Sequence, residues 1–347
     1  MTRKVIAILT LALALSATAE AKEPFGQWVK HWRERALMKN CDTAYVAMPP
    51  YNWQATAGVK GSGTSADFIW PSASQVPRNP QNIFGEQQQW LARYNAGMTN
   101  SAVFGLAYKG LGLSFGPKFN NPNKGKGIDL GIDFTGVKFG IDLRAKYMYD
   151  GDVEGVINSM TMSSFGADAY YVVNAKKFNL SAAYSQSVIQ KRSAGSIIVA
   201  AGYLGSSYTI LFDDNTTAYY TMSKNVSLGA GYGYNLVFLG GRLLFHASYI
   251  PMVMCWRGTW CGAYLEDKED DAYEIDQVKM TKDPTFPYRH LARASFNYTW
   301  RERYLVGFNF YNNHTGIALR DVQQIESAKY PQSMNEWTAQ VFFKYRF

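Results

Sequence analysis

Glu336-Trp337-Thr338-Ala339-Gln340-Val341-Phe342-Phe343-Lys344-Tyr345-Arg346-Phe347 closes the chain, and its parity decides the fold. Trp337, Ala339, Val341, Phe343, Tyr345 and Phe347 share one face of a strand with a period of two. Glu336, Thr338, Gln340, Phe342, Lys344 and Arg346 share the other. One face is oily and ends in aromatics; the other is mostly charged or polar. In a soluble sandwich the oily face would meet a protein core, and in a membrane barrel it would meet lipid.

The same alternation recurs upstream. Ile128, Leu130, Ile132 and Phe134 oppose Asp129, Gly131 and Asp133, while Phe139, Ile141, Leu143, Ala145, Tyr147 and Tyr149 oppose Lys138, Gly140, Asp142, Arg144 and Lys146. Further sets are Phe178, Leu180, Ala182, Tyr184; Val226, Leu228, Ala230, Tyr232, Tyr234, Leu236, Phe238; and Tyr304, Val306, Phe308, Phe310. Several of these strands outrun the roughly 3–10 residues usual in globular sheets. Length, together with charges placed in mid-strand, favours a transmembrane barrel with an oily outside and a wet lumen. Asp129, Asp133, Lys138, Asp142, Arg144 and Lys146 are then the expected lumen-facing charges. They would either set a field across a pore or pair with one another to fill a closed barrel.

Outer-membrane barrels alternate short turns with long loops. Tight turns are expected at Thr99-Asn100, Thr135-Gly136, Asn174-Ala175-Lys176, Gly240-Gly241 and Arg301-Glu302, and longer loops at 61–87, 117–127, 150–160, 188–195, 256–287 and 316–333. Admitting further turns at Asp213-Asp214-Asn215 and Lys224-Asn225 gives an all-β, antiparallel, up-and-down barrel of about 14 strands, with about 12 as the alternative. The fourteen include strands at 88–98, 101–116, 177–187, 216–223 and 226–239.

The start of the chain implies export. Arg3 and Lys4 precede an apolar run over 5–15 and the small residues Ser16, Ala17, Thr18 and Ala19, the layout of a signal peptide at 1–19, with cleavage after Ala19 or Ala21. The apolar run is too short for a helix that needs about 20 residues to cross a bilayer. Phe25, Trp28, Val29, Trp32 and Ala36 then mark a short amphipathic helix in a periplasmic segment at 20–50, leaving 51–347 for the barrel. Composition agrees with that division, because aromatics reach 15%, with 24 Tyr, 20 Phe and 9 Trp available for interfacial girdles. The net charge of +8 falls to about +6 without Arg3 and Lys4, and its basic residues lie singly along strands, which argues against a nucleic-acid partner.

Three cysteines suit an oxidising compartment. Cys255 and Cys261 bracket Trp256-Arg257-Gly258-Thr259-Trp260 and are expected to staple that loop as a disulfide, leaving Cys41 odd. No second Cys/His pair stands at ligand spacing, so neither a metal nor a cofactor is expected. The acidic run Glu266-Asp267-Lys268-Glu269-Asp270-Asp271 lacks the order of a calcium loop and reads as a solvated charge run.

Several segments carry family likenesses. A final strand with aromatics at alternate positions and a terminal Phe347 resembles the recognition strand of bacterial outer-membrane barrels. That likeness implies barrel assembly machinery as a partner through Trp337, Val341, Phe343, Tyr345 and Phe347, and outer-membrane lipid and lipopolysaccharide as surroundings. Asp42-Thr43-Ala44-Tyr45-Val46, Pro50-Tyr51-Asn52-Trp53, Ala107-Tyr108-Lys109-Gly110-Leu111-Gly112-Leu113-Ser114-Phe115-Gly116, Lys138-Phe139-Gly140-Ile141-Asp142-Leu143, Gln190-Lys191-Arg192-Ser193-Ala194-Gly195-Ser196 and Gly229-Ala230-Gly231-Tyr232-Gly233-Tyr234 resemble, in order, the pattern of domain of unknown function 4421. That outer-membrane family is found in Bacteroidota. The resemblance implies an outer-membrane location and no activity.

The functional expectation is a passive channel for small polar solutes or a structural barrel, with a surface-loop binding protein as an alternative. An acyl hydrolase is a further alternative. His246-Ala247-Ser248 resembles the His-x-Ser of outer-membrane phospholipases and lipid A deacylases, and nucleophilic catalysis does place a histidine beside a serine. Those sites face lipid. Here Leu243, Phe245, Ala247 and Tyr249 take the oily parity, so His246 and Ser248 are expected to face the lumen.

Overall fold

The computed structural model describes residues 41–69, 91–118, 126–151, 157–212, 217–265, 287–317 and 333–347. In chain order the strands are β1 (Val46–Ala47), β2 (Trp53–Ile69), β3 (Leu91–Tyr108), β4 (Leu111–Pro117), β5 (Lys126–Thr135), β6 (Phe139–Gly151) and β7 (Ile157–Val172). There follow β8 (Ile189–Gln190), β9 (Ala194–Phe212), β10 (Thr217–Phe238), β11 (Leu243–Leu265), β12 (Pro287–Trp300), β13 (Tyr304–Ile317) and β14 (Ser333–Arg346). Twelve of them, β2–β7 and β9–β14, form a closed barrel in which each pairs antiparallel with its neighbours along the chain. Closure comes from β14 pairing with β2, and Trp53 and Phe347 exchange backbone hydrogen bonds of 3.1 Å in both directions at the seam.

The parity of the last strand orders the whole wall. Val341 and Phe343 are 58% and 45% exposed, whereas Lys344 and Arg346 on the alternate face are 9% and 1% exposed. Around the barrel the exposed large side chains are apolar or aromatic, as with Phe104, Leu130, Phe165, Leu228 and Phe296. The buried inward positions carry Ser62, Asp168, Asn225, Arg293 and Asn297. A protein core would have the reverse arrangement. This one suits an apolar solvent outside and satisfied polar groups inside.

At one end, the turn end, connections are tight. Lys109 and Gly110 join β3 to β4 with φ of 48° and 93°, the left-handed pair that a two-residue type I′ hairpin requires. Residues 136–138, 239–242 and 301–303 make the other short turns. The opposite connections, with the acidic run at 266–271, lie outside the described residues. So do the expected signal peptide and amphipathic helix.

Twelve strands, the alternative count, replace the fourteen of the main expectation: two expected strands merge and one leaves the wall, while a further expected turn is displaced. Thr99-Asn100 is no turn: β3 runs through it, with Thr99 Oγ1 and Ser62 Oγ sharing a hydrogen bond of 2.9 Å in the lumen. The turn falls instead at Lys109-Gly110. Lys224-Asn225 likewise lies inside β10, paired with Gly205 and Leu204 of β9, which merges the expected strands at 216–223 and 226–239. The expected strand at 177–187 leaves the wall and folds inward, and the loop expected at 188–195 belongs to the same turn-end excursion. Its alternation misleads because Phe178, Asn179, Leu180, Ser181, Ala182 and Ala183 are all buried, so neither parity faces lipid.

Candidate functional site

The inward excursion is a plug. Asn179 caps a single 3-10 turn, Leu180–Ala182, by accepting from the Ser181 amide at 2.8 Å, the usual role of a side-chain N-cap. Phe178, Leu180 and Val188 then pack against Val172, Ile198, Leu244, Ile250 and Leu291 of the wall. The arm before β2 locks the plug from below. Within it β1 pairs with β8, the Asp42 amide donates to the Lys176 carbonyl at 2.8 Å, and the Cys41 thiol donates to the Ala175 carbonyl.

Polar groups of the wall hold the plug's backbone. Gln186, at φ 50°, presents its carbonyl to Gln54 Nε2 at 3.1 Å and to the Arg346 guanidinium at 2.5 Å, and its side-chain oxygen accepts from Lys344. Asn297 donates to the Ala183 carbonyl and Asn235 to the Asn179 carbonyl, both at 3.0 Å. Each bond satisfies a buried carbonyl that would otherwise be costly. Burial pushes the Tyr184 hydroxyl up to about 12 against the pull of Arg293, so it stays protonated beside Ser248 Oγ at 3.2 Å.

Beyond the plug lies a cavity of about 340 Å³ bounded by charged side chains. Asp168 accepts from Arg144 at 2.5 Å and from Arg289 at 2.8 Å, and Arg293 pairs with Asp142 at 2.8 Å. Lys60 pairs with Asp129, while Lys118 and Lys146 stand 3.9 Å from Asp129 and Glu336. The Arg144 guanidinium also lies 4.0 Å over the Tyr311 ring, a cation–π contact. One wall is kept open by small inward residues, Gly112, Ser114 and Gly116 on β4 and Gly131 on β5.

Of the charges expected to face the lumen, Asp129, Asp133, Asp142, Arg144 and Lys146 line this cavity. Lys138 does not: β5 stops at Thr135 and β6 starts at Phe139, which puts it in the turn at the rim. Asp168, Arg289, Arg293, Lys60 and Lys118 were missed. Their signal was an isolated charge at inward parity within β7, β12 and β2 or beside β4.

His246 and Ser248 share the inward face, but they do not bond each other. His246 Nδ1 is 2.7 Å from Asn235 Oδ1, Nε2 has no hydrogen-bond partner among the described residues, and the ring lies under Tyr184 and Phe178. Ser248 bonds Tyr184 instead, and both are sealed from the lipid face. The expected disulfide is corrected as well. Cys255 and Cys261 lie six positions apart on the continuous β11, about 20 Å along an extended strand, against a Cα separation of at most ~7 Å for a disulfide. Cys255 is a free, outward-facing thiol at a bulge, the extra residue between the pairs Val226–Trp256 and Ser227–Met254. Among the described residues no group of three or more His, Cys, Asp or Glu could hold a metal ion.

On the last strand Val341, Phe343 and Phe347 are exposed on the outside, Tyr345 stacks on Phe347 at 5.9 Å between centroids, and Trp337 covers Gly63 of β2.

Among solved structures, the chain is similar to the outer membrane protease OmpT from Escherichia coli at 8% identity, covering 87% of this chain and 98% of that one, with a TM-score of 0.40. It also resembles the translocator domain of the autotransporter NalP from Neisseria meningitidis at 7% identity, covering 93% and 96%, with a TM-score of 0.23. Pseudomonas aeruginosa OpdQ matches at 8% identity, covering 84% and 97%, with a TM-score of 0.17. No curated protein matches the chain in sequence. The family is settled by a model that covers the arm, plug and barrel together: this chain, over residues 40–347, belongs to the family described as domain of unknown function (DUF4421).

Proposed function

We propose that this protein is an outer-membrane barrel that handles small polar solutes in its lumen, with the plug acting as a stopper at the periplasmic end. The observation that carries the reading is the pairing of an apolar outer wall with a charged cavity that ends on the plug. A barrel that served only as a structural filler would need no open volume above it. The plug is held by hydrogen bonds and by one buried apolar cluster, so it can leave as a unit without breaking any wall pairing. In this reading 1–19 is a cleaved signal peptide, and the outward row Trp337, Val341, Phe343, Tyr345 and Phe347 presents the last strand to the assembly machinery. Outer-membrane lipid and lipopolysaccharide surround the apolar wall.

Planar-bilayer recording of the refolded mature chain tests the proposal. The parent should conduct rarely, and a variant with 178–187 replaced by a Gly-Ser linker of equal length should conduct steadily. A mature chain that remains monomeric and soluble without detergent overturns the membrane reading. A plug-replaced barrel as silent as its parent overturns the stopper.

A further inference from the structure

The charges around the cavity do not cancel in place. Asp142 and Glu336 each have one cation at hand, Asp129 has Lys60 and, at 3.9 Å, Lys118, and Asp168 is shared by two guanidiniums, Arg144 and Arg289. Sharing leaves a positive charge over at both Asp129 and Asp168, and it is most accessible at Arg144, whose side chain is 35% exposed against 16% for Lys60 and 1% for Lys118 and Arg289. Asp133 is the opposite case. It makes no ion pair or hydrogen bond among the described residues, lies directly across from Asp142, and leans over Gly112, where a Cβ would collide with its carboxylate. Lys344, whose charge reaches Asp133, gives its donors to Gln186 and the Tyr184 carbonyl.

Position then matters. Asp133 pairs in register with Asp142, and Arg144 follows two residues later on the same inward face. The unmatched negative and positive groups are therefore diagonal cross-strand neighbours, about 7–8 Å apart at the backbone. The residue opposite Arg144 is Gly131, and only the small Ser114 hydroxyl lies over it, so no large side chain stands between the two charges. A compact dipolar molecule, bonded at each end by a charge-assisted hydrogen bond of about 2.7–2.9 Å, spans such a gap. A cavity of about 340 Å³ is at the small end of ligand sites.

We propose that this cavity binds a small zwitterion bearing a primary amine and a carboxylate, the amine on Asp133 and the carboxylate on Arg144. The proposal rests on the lumen being a solute compartment and names its ligand class. A lone anion or a lone cation would match one group and leave the other uncompensated in a confined space.

Calorimetric titration of the refolded full barrel in micelles with glycine, β-alanine, acetate and methylamine tests it. The two zwitterions should bind at least tenfold more tightly than acetate or methylamine, and Asp133→Asn should bring them down to the acetate level. Gly112→Ala, which pushes the Asp133 carboxylate aside, should weaken the zwitterions while leaving acetate unchanged, and native electrophoretic mobility confirms that each variant is folded. Zwitterions binding no better than acetate, or binding unchanged in either variant, overturn the proposal. Bilayer recordings made alongside keep the two claims separate. Conductance after plug replacement without zwitterion preference removes the ligand class alone, and zwitterion binding to a barrel whose plug replacement is silent removes the stopper alone.

Discussion

Arg346 and Gln186 are 160 residues apart in sequence, and the Arg346 guanidinium donates to the Gln186 carbonyl at 2.5 Å inside the barrel. The same side chain donates to the Glu302 carbonyl at 2.8 Å, so one buried cation ties the last strand to a turn and to the plug.

Arg346→Met should therefore loosen the plug more than the wall. The buried Gln186 carbonyl loses its charged donor and keeps only Gln54, and the carbonyl of the exposed turn residue Glu302 loses a donor too, a combined cost of about 1–3 kcal/mol. Urea-induced unfolding in lipid vesicles should show a lower midpoint, and bilayer recordings more frequent opening than the parent. A midpoint within error of the parent would show that the bond contributes nothing.

Tyr184 gives the plug an alkaline limit. Its folded value, pushed up to about 12, lies above the ordinary value near 10. Below about pH 10 both states keep the proton and stability is unaffected. Between about 10 and 12 the unfolded state releases a proton that the folded state retains, so stability falls as pH rises. Tyr184→Phe should flatten that decline in alkaline unfolding curves, and an equally steep decline in the variant would assign it elsewhere.

The outer wall can be separated from the lumen by one substitution on each face of β14. Val341→Arg places a cation against lipid and should cost about 2–4 kcal/mol near the bilayer midplane, whereas an inward Thr338→Arg avoids that penalty. Folding yield into vesicles measures the contrast. Equal yields would mean that Val341 does not meet hydrocarbon.

Cys255 should react with a maleimide in micelles without prior reduction, because it is a free thiol on an exposed bulge. Mass spectrometry of an unreduced digest is the check, and a Cys255–Cys261 crosslink there would contradict a continuous β11.

Much of this architecture could be read from parity. The rows around Asp129 and Asp142 and the terminal strand lie as period two requires, since every second side chain there meets a different medium. Parity fails at 177–187 because the plug has protein on all sides: Phe178 and Leu180 look like one face of a strand only until Asn179 and Ser181 prove equally buried. Turn propensity fails at Thr99-Asn100 and Lys224-Asn225 for a related reason. A wet lumen accepts the polar residues that mark turns elsewhere, as the buried Thr99 and Asn225 show. The pairing partners within the cavity were beyond sequence altogether, because Asp168 on β7 and Arg289 on β12 have β9, β10 and β11 between them and meet only where the wall curves, over Gly202 of β9.

The Trp53–Phe347 seam joins the first barrel strand to the last, and Arg346 beside it holds the plug. A copy truncated before β14 would carry two raw sheet edges and a loose plug, each a target for mispairing or proteolysis. Ring closure and the hold on the plug thus depend on one strand, β14, so a change that frays the seam also unfastens the segment inside it.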